Sequence, residues 1–233
     1  MTHTTFYFQR GGDTHSATSY VEQGLLQNLH ASADDASPRL GLAMPRAHLD
    51  SPADKQACLA ALVDVFKRTE GEILAFGACG GANALLCTIA KLARDAKESS
   101  FAKEILSRVK LVVLEAPYDS VESLLEVGHW FGSLQGALLS LLGAYEANER
   151  SALEFARELP KHIPVAFVVS LRDGRVPLVC SSRLVSELRQ LGHRQVSTIL
   201  LTRAPHSQYA THNARDTDAY RAALDELRAK YFT

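Results

Sequence analysis

The sequence predicts an α/β fold with a mostly parallel central sheet, helices on both faces of the sheet, and a helical cap inserted between two strands. Segments with strand character alternate with segments of helix character along the whole chain. The predicted strands are apolar throughout, which is typical of parallel strands buried on both faces. No linker, repeat or low-complexity tract interrupts the 233 residues, so we expect one domain over residues 1–233.

Six short apolar segments are predicted as strands, and helical segments separate most of them. The predicted strands are Thr5–Gln9, Arg39–Met44, Glu72–Phe76, Val109–Leu114, Ile163–Ser170 and Val196–Leu201. The predicted helices are Ser19–His30, Ser51–Thr69, Gly80–Ala96, Pro177–Leu191 and Thr217–Tyr231. Residues 119–160 form the longest stretch without a strand, and their helical character makes them the candidate cap. The apolar side chains of this stretch are equally compatible with a helix that packs on the core.

Composition excludes several classes of partner. The net charge is −1, whereas binding to nucleic acid or to an anionic membrane requires a basic excess. The most hydrophobic stretch, residues 127–147, contains polar residues and several glycines, so no membrane span is expected. Residues 1–10 lack the apolar core of a signal peptide, and we expect a cytoplasmic protein. The four cysteines show no metal-ligand spacing, so we expect no metal and no cofactor. The sequence leaves the oligomeric state open.

The pattern Gly77-Ala78-Cys79-Gly80-Gly81 joins a predicted strand to a predicted helix. It matches the G-x-S-x-G turn that exposes a nucleophile, with cysteine in place of serine. Such a turn strains the backbone of the nucleophile, so the residues two positions away must lack a Cβ atom. The thiol would lie at the positive end of a helix, which favours the thiolate form. The alternative is a tight glycine turn with a structural cysteine.

With this pattern the chain resembles the α/β-hydrolase superfamily over nearly its whole length. Members of that superfamily carry nucleophile, acid and histidine in that order along the chain. The loop from Ser170 to Pro177 looks like the acid loop, and Ala204-Pro205-His206-Ser207 looks like the histidine loop. The resemblance therefore implies a triad of Cys79, His206 and Asp173. Dienelactone hydrolases carry a cysteine at the same turn, so cysteine is compatible with hydrolysis.

Two other residues compete for these positions. Asp119 follows the fourth predicted strand, where some members of the superfamily carry their acid. It also suits the N-cap of a helix beginning near Ser120, which we favour. His212 belongs to the same loop as His206 but lies further from the strand. Asp173 itself is also compatible with a turn that caps the helix after Pro177.

The resemblance also implies a backbone oxyanion hole. Gly80, the residue after the nucleophile, would donate one N–H group. Arg10-Gly11-Gly12-Asp13 follows the first strand, where many members have His-Gly-x, so Gly12 would donate the second. Arg10 departs from that pattern, and a plain glycine turn is the alternative.

The implied function is a hydrolase that cleaves the ester or thioester bond of a small acyl substrate. In that reaction the thiol would attack the carbonyl, the imidazole would transfer the proton, and the carboxylate would orient the imidazole. The alternative is a catalytically inactive scaffold that binds a ligand or senses redox state through an exposed thiol.

Overall fold

A parallel sheet with helices on both faces forms the protein. The computed structural model describes residues 3–10, 20, 22–27, 52–128, 150–206 and 208–232. Its strands are β1 (Thr4–Arg10), β2 (Ile73–Cys79), β3 (Val109–Glu115), β4 (Val165–Ser170) and β5 (Val196–Leu201). Its helices are α1 (Pro52–Arg68), α2 (Gly80–Asp95), α3 (Ser100–Arg108), α4 (Val121–Gly128), α5 (Ala152–Ala156), α6 (Leu178–Gln190) and α7 (Ala214–Tyr231).

Within these residues the sheet has five strands in the order β1-β2-β3-β4-β5, and each neighbouring pair is parallel. Parallel neighbours need a crossover connection, and helices supply it between β2 and β3 and between β4 and β5. Because all five strands run the same way, their carboxyl ends lie at one edge of the sheet. The predicted parallel α/β architecture is confirmed.

Alternating side chains of each strand divide the core between the two faces of the sheet. On one face, Phe6, Phe8 and Phe167 pack against residues of α1, α2, α3, α5 and α6. On the other face, Tyr7 and Phe76 pack against residues of α7 and of the segment around Tyr20, Leu25 and Leu26. Burial on both faces explains why β2 and β4 are almost entirely apolar. The expectation of strands apolar throughout is wrong for β5, where Thr198 and Leu200 are exposed.

Two helices differ from the sequence prediction. Helix α3 was not predicted, although Ser99 begins it as an N-cap whose side chain accepts a hydrogen bond from the Ala102 N–H group. The helix predicted to run from Ser19 to His30 ends earlier. Its Gly24 has a positive φ of 70°, and the Leu25 N–H group closes the turn on the Tyr20 carbonyl. Glycine adopts this left-handed conformation at helix ends without steric cost.

The candidate cap over residues 119–160 is described only at its two ends. Helix α4 begins it and helix α5 ends it, and Ser151 with Glu154 forms a capping box at the start of α5. Residues 129–149, the predicted strand Arg39–Met44 and the glycines after β1 lie outside the described residues.

Candidate active site

Cys79 lies at the turn between β2 and α2, at the carboxyl edge of the sheet. Its backbone has φ 53° and ψ −125°, a conformation that residues other than glycine rarely adopt. Strain of this kind costs on the order of 1–3 kcal/mol and persists where the surrounding structure imposes it. Cys79 therefore occupies the strained strand-to-helix turn, here called the elbow, that the glycine pattern predicted.

The glycines two positions before and after Cys79 fill places that no other residue fits. A Cβ atom on Gly81 would lie 2.3 Å from the carbonyl oxygen of Phe8 in β1. A Cβ atom on Gly77 would lie 2.7 Å from the carbonyl oxygen of Gly81. Both clashes are with backbone atoms, which cannot rotate away. Glycine at these positions allows α2 to begin directly against the sheet.

Asp173 follows β4, and hydrogen bonds to both of its carboxylate oxygens fix it in place. Its Oδ1 atom accepts from the backbone N–H groups of Arg175 at 2.9 Å and of Val176 at 2.8 Å. Its Oδ2 atom lies 2.8 Å from Nδ1 of His206 and accepts from the Tyr209 hydroxyl at 2.6 Å. The carboxylate has no exposed surface, so it is a buried acceptor of four hydrogen bonds.

His206 contacts both other predicted site residues. Its side chain is 6% exposed, its Nδ1 atom lies 2.8 Å from Oδ2 of Asp173, and it also interacts with the side chain of Cys79. Burial alone would lower the pKa of this imidazole. The hydrogen bonds and electrostatic interactions with Asp173 and Cys79 outweigh burial and raise the pKa to about 10. Burial opposes ionisation of Asp173 as well, but the hydrogen bond and charge of His206 hold the pKa of that carboxyl below its usual value.

The loop that carries His206 is attached to the start of α7 by one buried carboxylate. Asp216 accepts hydrogen bonds from the consecutive backbone N–H groups of Thr202, Arg203 and Ala204. Burial would raise the pKa of Asp216, but these bonds outweigh it and keep the pKa well below its usual value. The Ala204 carbonyl in turn accepts from the Ser170 hydroxyl at the end of β4. Sequence reasoning missed this anchor.

A second buried carboxylate, Glu115, ends β3 beside the His206–Asp173 pair. Its two oxygens accept from the hydroxyls of Tyr20 at 2.6 Å and Tyr220 at 2.7 Å. Burial raises the pKa of Glu115 to about 6, against the opposing effect of the two hydroxyl donors. Glu115 was not identified from the sequence, because its partners are 95 and 105 residues away along the chain.

The predicted oxyanion donors are only partly described. Gly80 is the first residue of α2, and the N–H groups of a first helical turn have no acceptor within the helix. Arg10 is the register partner of Cys79, so the chain leaves β1 at the level of the elbow. Gly12 lies outside the described residues.

The two rival residues have other surroundings. Asp119 is buried and pairs with Arg183 of α6 at 3.1 Å. The favoured N-cap role of Asp119 is wrong, because the Ser120 hydroxyl accepts the hydrogen bond from the Ser123 N–H group at the start of α4. His212 is exposed, beyond the turn that follows His206.

Among the residues that the structure describes, no group of three or more His, Cys, Asp or Glu side chains is placed to hold a metal ion. None of the described helices is both long enough and apolar enough to cross a membrane.

Comparison with known proteins finds similarity in structure only. No family model and no curated protein sequence matches the chain. An esterase from Pyrococcus furiosus is similar in structure with a TM-score of 0.63 at 11% identity, over 99% of this chain and 83% of the esterase. A puromycin-hydrolyzing peptidase from Mycobacterium tuberculosis has a TM-score of 0.60 at 16% identity, over 98% and 34% of the two chains. An acylaminoacyl peptidase from Pyrococcus horikoshii has a TM-score of 0.62 at 13% identity, over 98% and 37%.

The present chain thus spans most of the esterase but only about a third of each peptidase. Identities of 11 to 16% carry information about the fold alone. The similarity extends over 98% or more of this chain in all three cases. Together with the parallel sheet and the elbow after β2, it establishes that this chain has the α/β-hydrolase fold.

Proposed function

We propose that this protein is a hydrolase that cleaves an ester or thioester with Cys79 as nucleophile, His206 as proton carrier and Asp173 as the acid that orients His206. One observation carries the proposal. The His206 ring lies 2.8 Å from a buried carboxylate oxygen through Nδ1 and interacts with the side chain of Cys79, the residue at the strained turn after β2. Nucleophilic acyl transfer requires a cysteine, a histidine beside it and a carboxylate that orients the histidine.

The raised pKa of His206 supports an imidazolium at neutral pH. Cys79 then acts as a thiolate and forms a bond to the acyl carbon, while the bond from that carbon to the alcohol or thiol breaks. The proton of His206 goes to the departing oxygen or sulfur. Water then attacks the acyl carbon of the thioester and gives a proton back to His206. The bond from that carbon to the Cys79 sulfur breaks, so the carboxylic acid product leaves and the thiolate is restored.

Negative charge develops on the acyl oxygen in both steps. We propose the N–H group of Gly80, the first residue of α2, as one donor for that oxygen. We place the second donor at Gly12, because β1 ends level with Cys79 and the glycines follow directly. A small acyl compound is the corresponding substrate.

Steady-state hydrolysis of a short-chain aryl ester and of the matching acyl thioester tests the proposal. We expect Cys79→Ala and His206→Gln to lower kcat by about a thousandfold or more, as loss of a reacting group does. Cys87→Ala is the matched control, since it removes a buried thiol from α2, eight residues after Cys79, without touching the elbow. A Cys79→Ala variant with the rate of the wild type would contradict the proposal and favour an inactive binding or redox-sensing scaffold.

A further inference from the structure

We propose that Tyr209 is a positioning residue that controls how tightly the Asp173–His206 pair holds its proton. This inference rests on the proposed function for its catalytic consequence. Its structural basis is independent of any substrate, because it concerns hydrogen bonds within the described residues.

The Tyr209 hydroxyl shares one carboxylate oxygen with His206. Oδ2 of Asp173 accepts from Tyr209 at 2.6 Å and lies 2.8 Å from Nδ1 of His206, while the backbone holds the other oxygen. Tyr209 is 1% exposed, and it belongs to the same loop as His206, three residues later. The histidine loop therefore brings two donors to the same oxygen.

Two donors on one oxygen have two effects. They fix the rotation of the carboxylate, so that Oδ2 continues to face the imidazole. The Tyr209 hydroxyl also stabilises the carboxylate anion of Asp173. The carboxylate therefore attracts the His206 imidazolium less strongly than it would without the hydroxyl. Without Tyr209, Asp173 would hold the imidazolium more strongly, and His206 would release its proton to the leaving group more slowly.

Space filling alone does not account for the hydroxyl. A phenylalanine would fill the same buried volume, and a buried hydroxyl needs a hydrogen-bond partner. Here that partner is the oxygen that orients His206, rather than a neighbouring backbone carbonyl. Among the described residues, Cys79 and the Glu115 carboxylate also act electrostatically on this pair.

The test is Tyr209→Phe with two readouts. In ¹⁵N NMR spectra of histidine-labelled protein, we expect the titration of His206 to move to higher pH than in the wild type. In the ester assay we expect kcat to fall about tenfold with KM unchanged, a part of the 10²–10⁴ factor that proton transfer supplies. Tyr220→Phe is the matched control, because it removes an equally buried hydroxyl from a different carboxylate, Glu115. Because Tyr220 donates to Glu115 and Tyr209 donates to Asp173 itself, the control should shift the pH at which His206 titrates much less than Tyr209→Phe does.

A His206 titration in Tyr209→Phe that coincides with that of the wild type would overturn the inference and leave Tyr209 a structural residue. So would an equal upward shift in Tyr220→Phe. The NMR titration needs no substrate. A wild-type protein without hydrolytic activity would therefore refute the proposed function, while the titration would still decide the role of Tyr209.

Discussion

Replacing Gly81 by alanine tests whether the elbow depends on a direct contact between α2 and β1. The new Cβ atom would lie 2.3 Å from the Phe8 carbonyl oxygen and 2.9 Å from the Gln9 Cα atom. Real Cβ atoms essentially never approach closer than 3.0 Å, so the helix and the strand must separate by about 0.7 Å. Both neighbours are backbone atoms of β1, which pairs with β2 along its whole length, and a side-chain rotation cannot relieve the overlap. We expect a loss of about 3 kcal/mol in the free energy of unfolding, at the upper end of overpacking costs.

Urea unfolding of Gly81→Ala beside Gly174→Ala measures this effect. Gly174 is the matched control, because a Cβ atom there meets nothing within 4 Å, and its variant should stay within about 0.5 kcal/mol of the wild type. The ester-hydrolysis rate of folded Gly81→Ala should also fall, since the displaced helix carries Gly80, the proposed oxyanion donor. A Gly81→Ala protein that loses less than about 1 kcal/mol would refute the account of the elbow.

Three further predictions follow from the charged groups of the site. Asp173→Asn should lower kcat in the ester assay by about 10⁴-fold through misorientation of the imidazole. Asp119→Ala should keep its rate and lose stability with the Arg183 pair, and exchanged phenotypes would identify Asp119 as the acid. The pKa of His206 is about 10 in the folded protein and 6.5 in the unfolded chain, so protonation of His206 stabilises the fold. This stabilisation is complete below pH 6.5 and is lost as the pH rises to about 10. The urea midpoint of unfolding should therefore fall less between pH 6 and pH 10 in His206→Ala than in the wild type. An equal fall in both proteins would contradict the raised pKa. Asp216→Asn should cost about 2 kcal/mol at pH 7, because the amide replaces a charged acceptor of three backbone N–H groups. Its difference from the wild type should shrink as acid protonates Asp216, and a constant difference down to pH 2 would contradict the lowered pKa.

Local patterns predicted the parts of the site that depend on neighbours in the chain. The elbow could be predicted because the steric requirement for Gly77 and Gly81 acts on positions two residues from Cys79. Asp173 and His206 could be placed because parallel strands bring the loops that follow them to one edge of the sheet. The resemblance to α/β-hydrolases then selected them among other acids and histidines.

The parts that sequence reasoning missed depend on contacts across the fold. Tyr209 carries no motif, and its importance comes from the direction of its hydroxyl towards Asp173. Glu115 follows a run of apolar strand residues, and only the folded chain brings two tyrosine hydroxyls to it. Asp119 and Ser120 are both good N-cap residues, and sequence preference alone does not choose between them. The choice came from Arg183, which binds the aspartate 64 residues away.

Trapping the covalent acyl-enzyme is the most direct test of the central claim that Cys79 is the nucleophile. The protein is mixed with excess aryl ester, quenched with acid within the first turnover, and analysed by peptide mass spectrometry. We predict one acyl group per chain, bound as a thioester to Cys79. It should form at the same time as a burst of one alcohol molecule per chain. Tyr220→Phe should acylate as the wild type does, and His206→Gln should acylate far more slowly. Turnover of the ester with no acyl group on Cys79, or with the acyl group on another residue, would contradict the account.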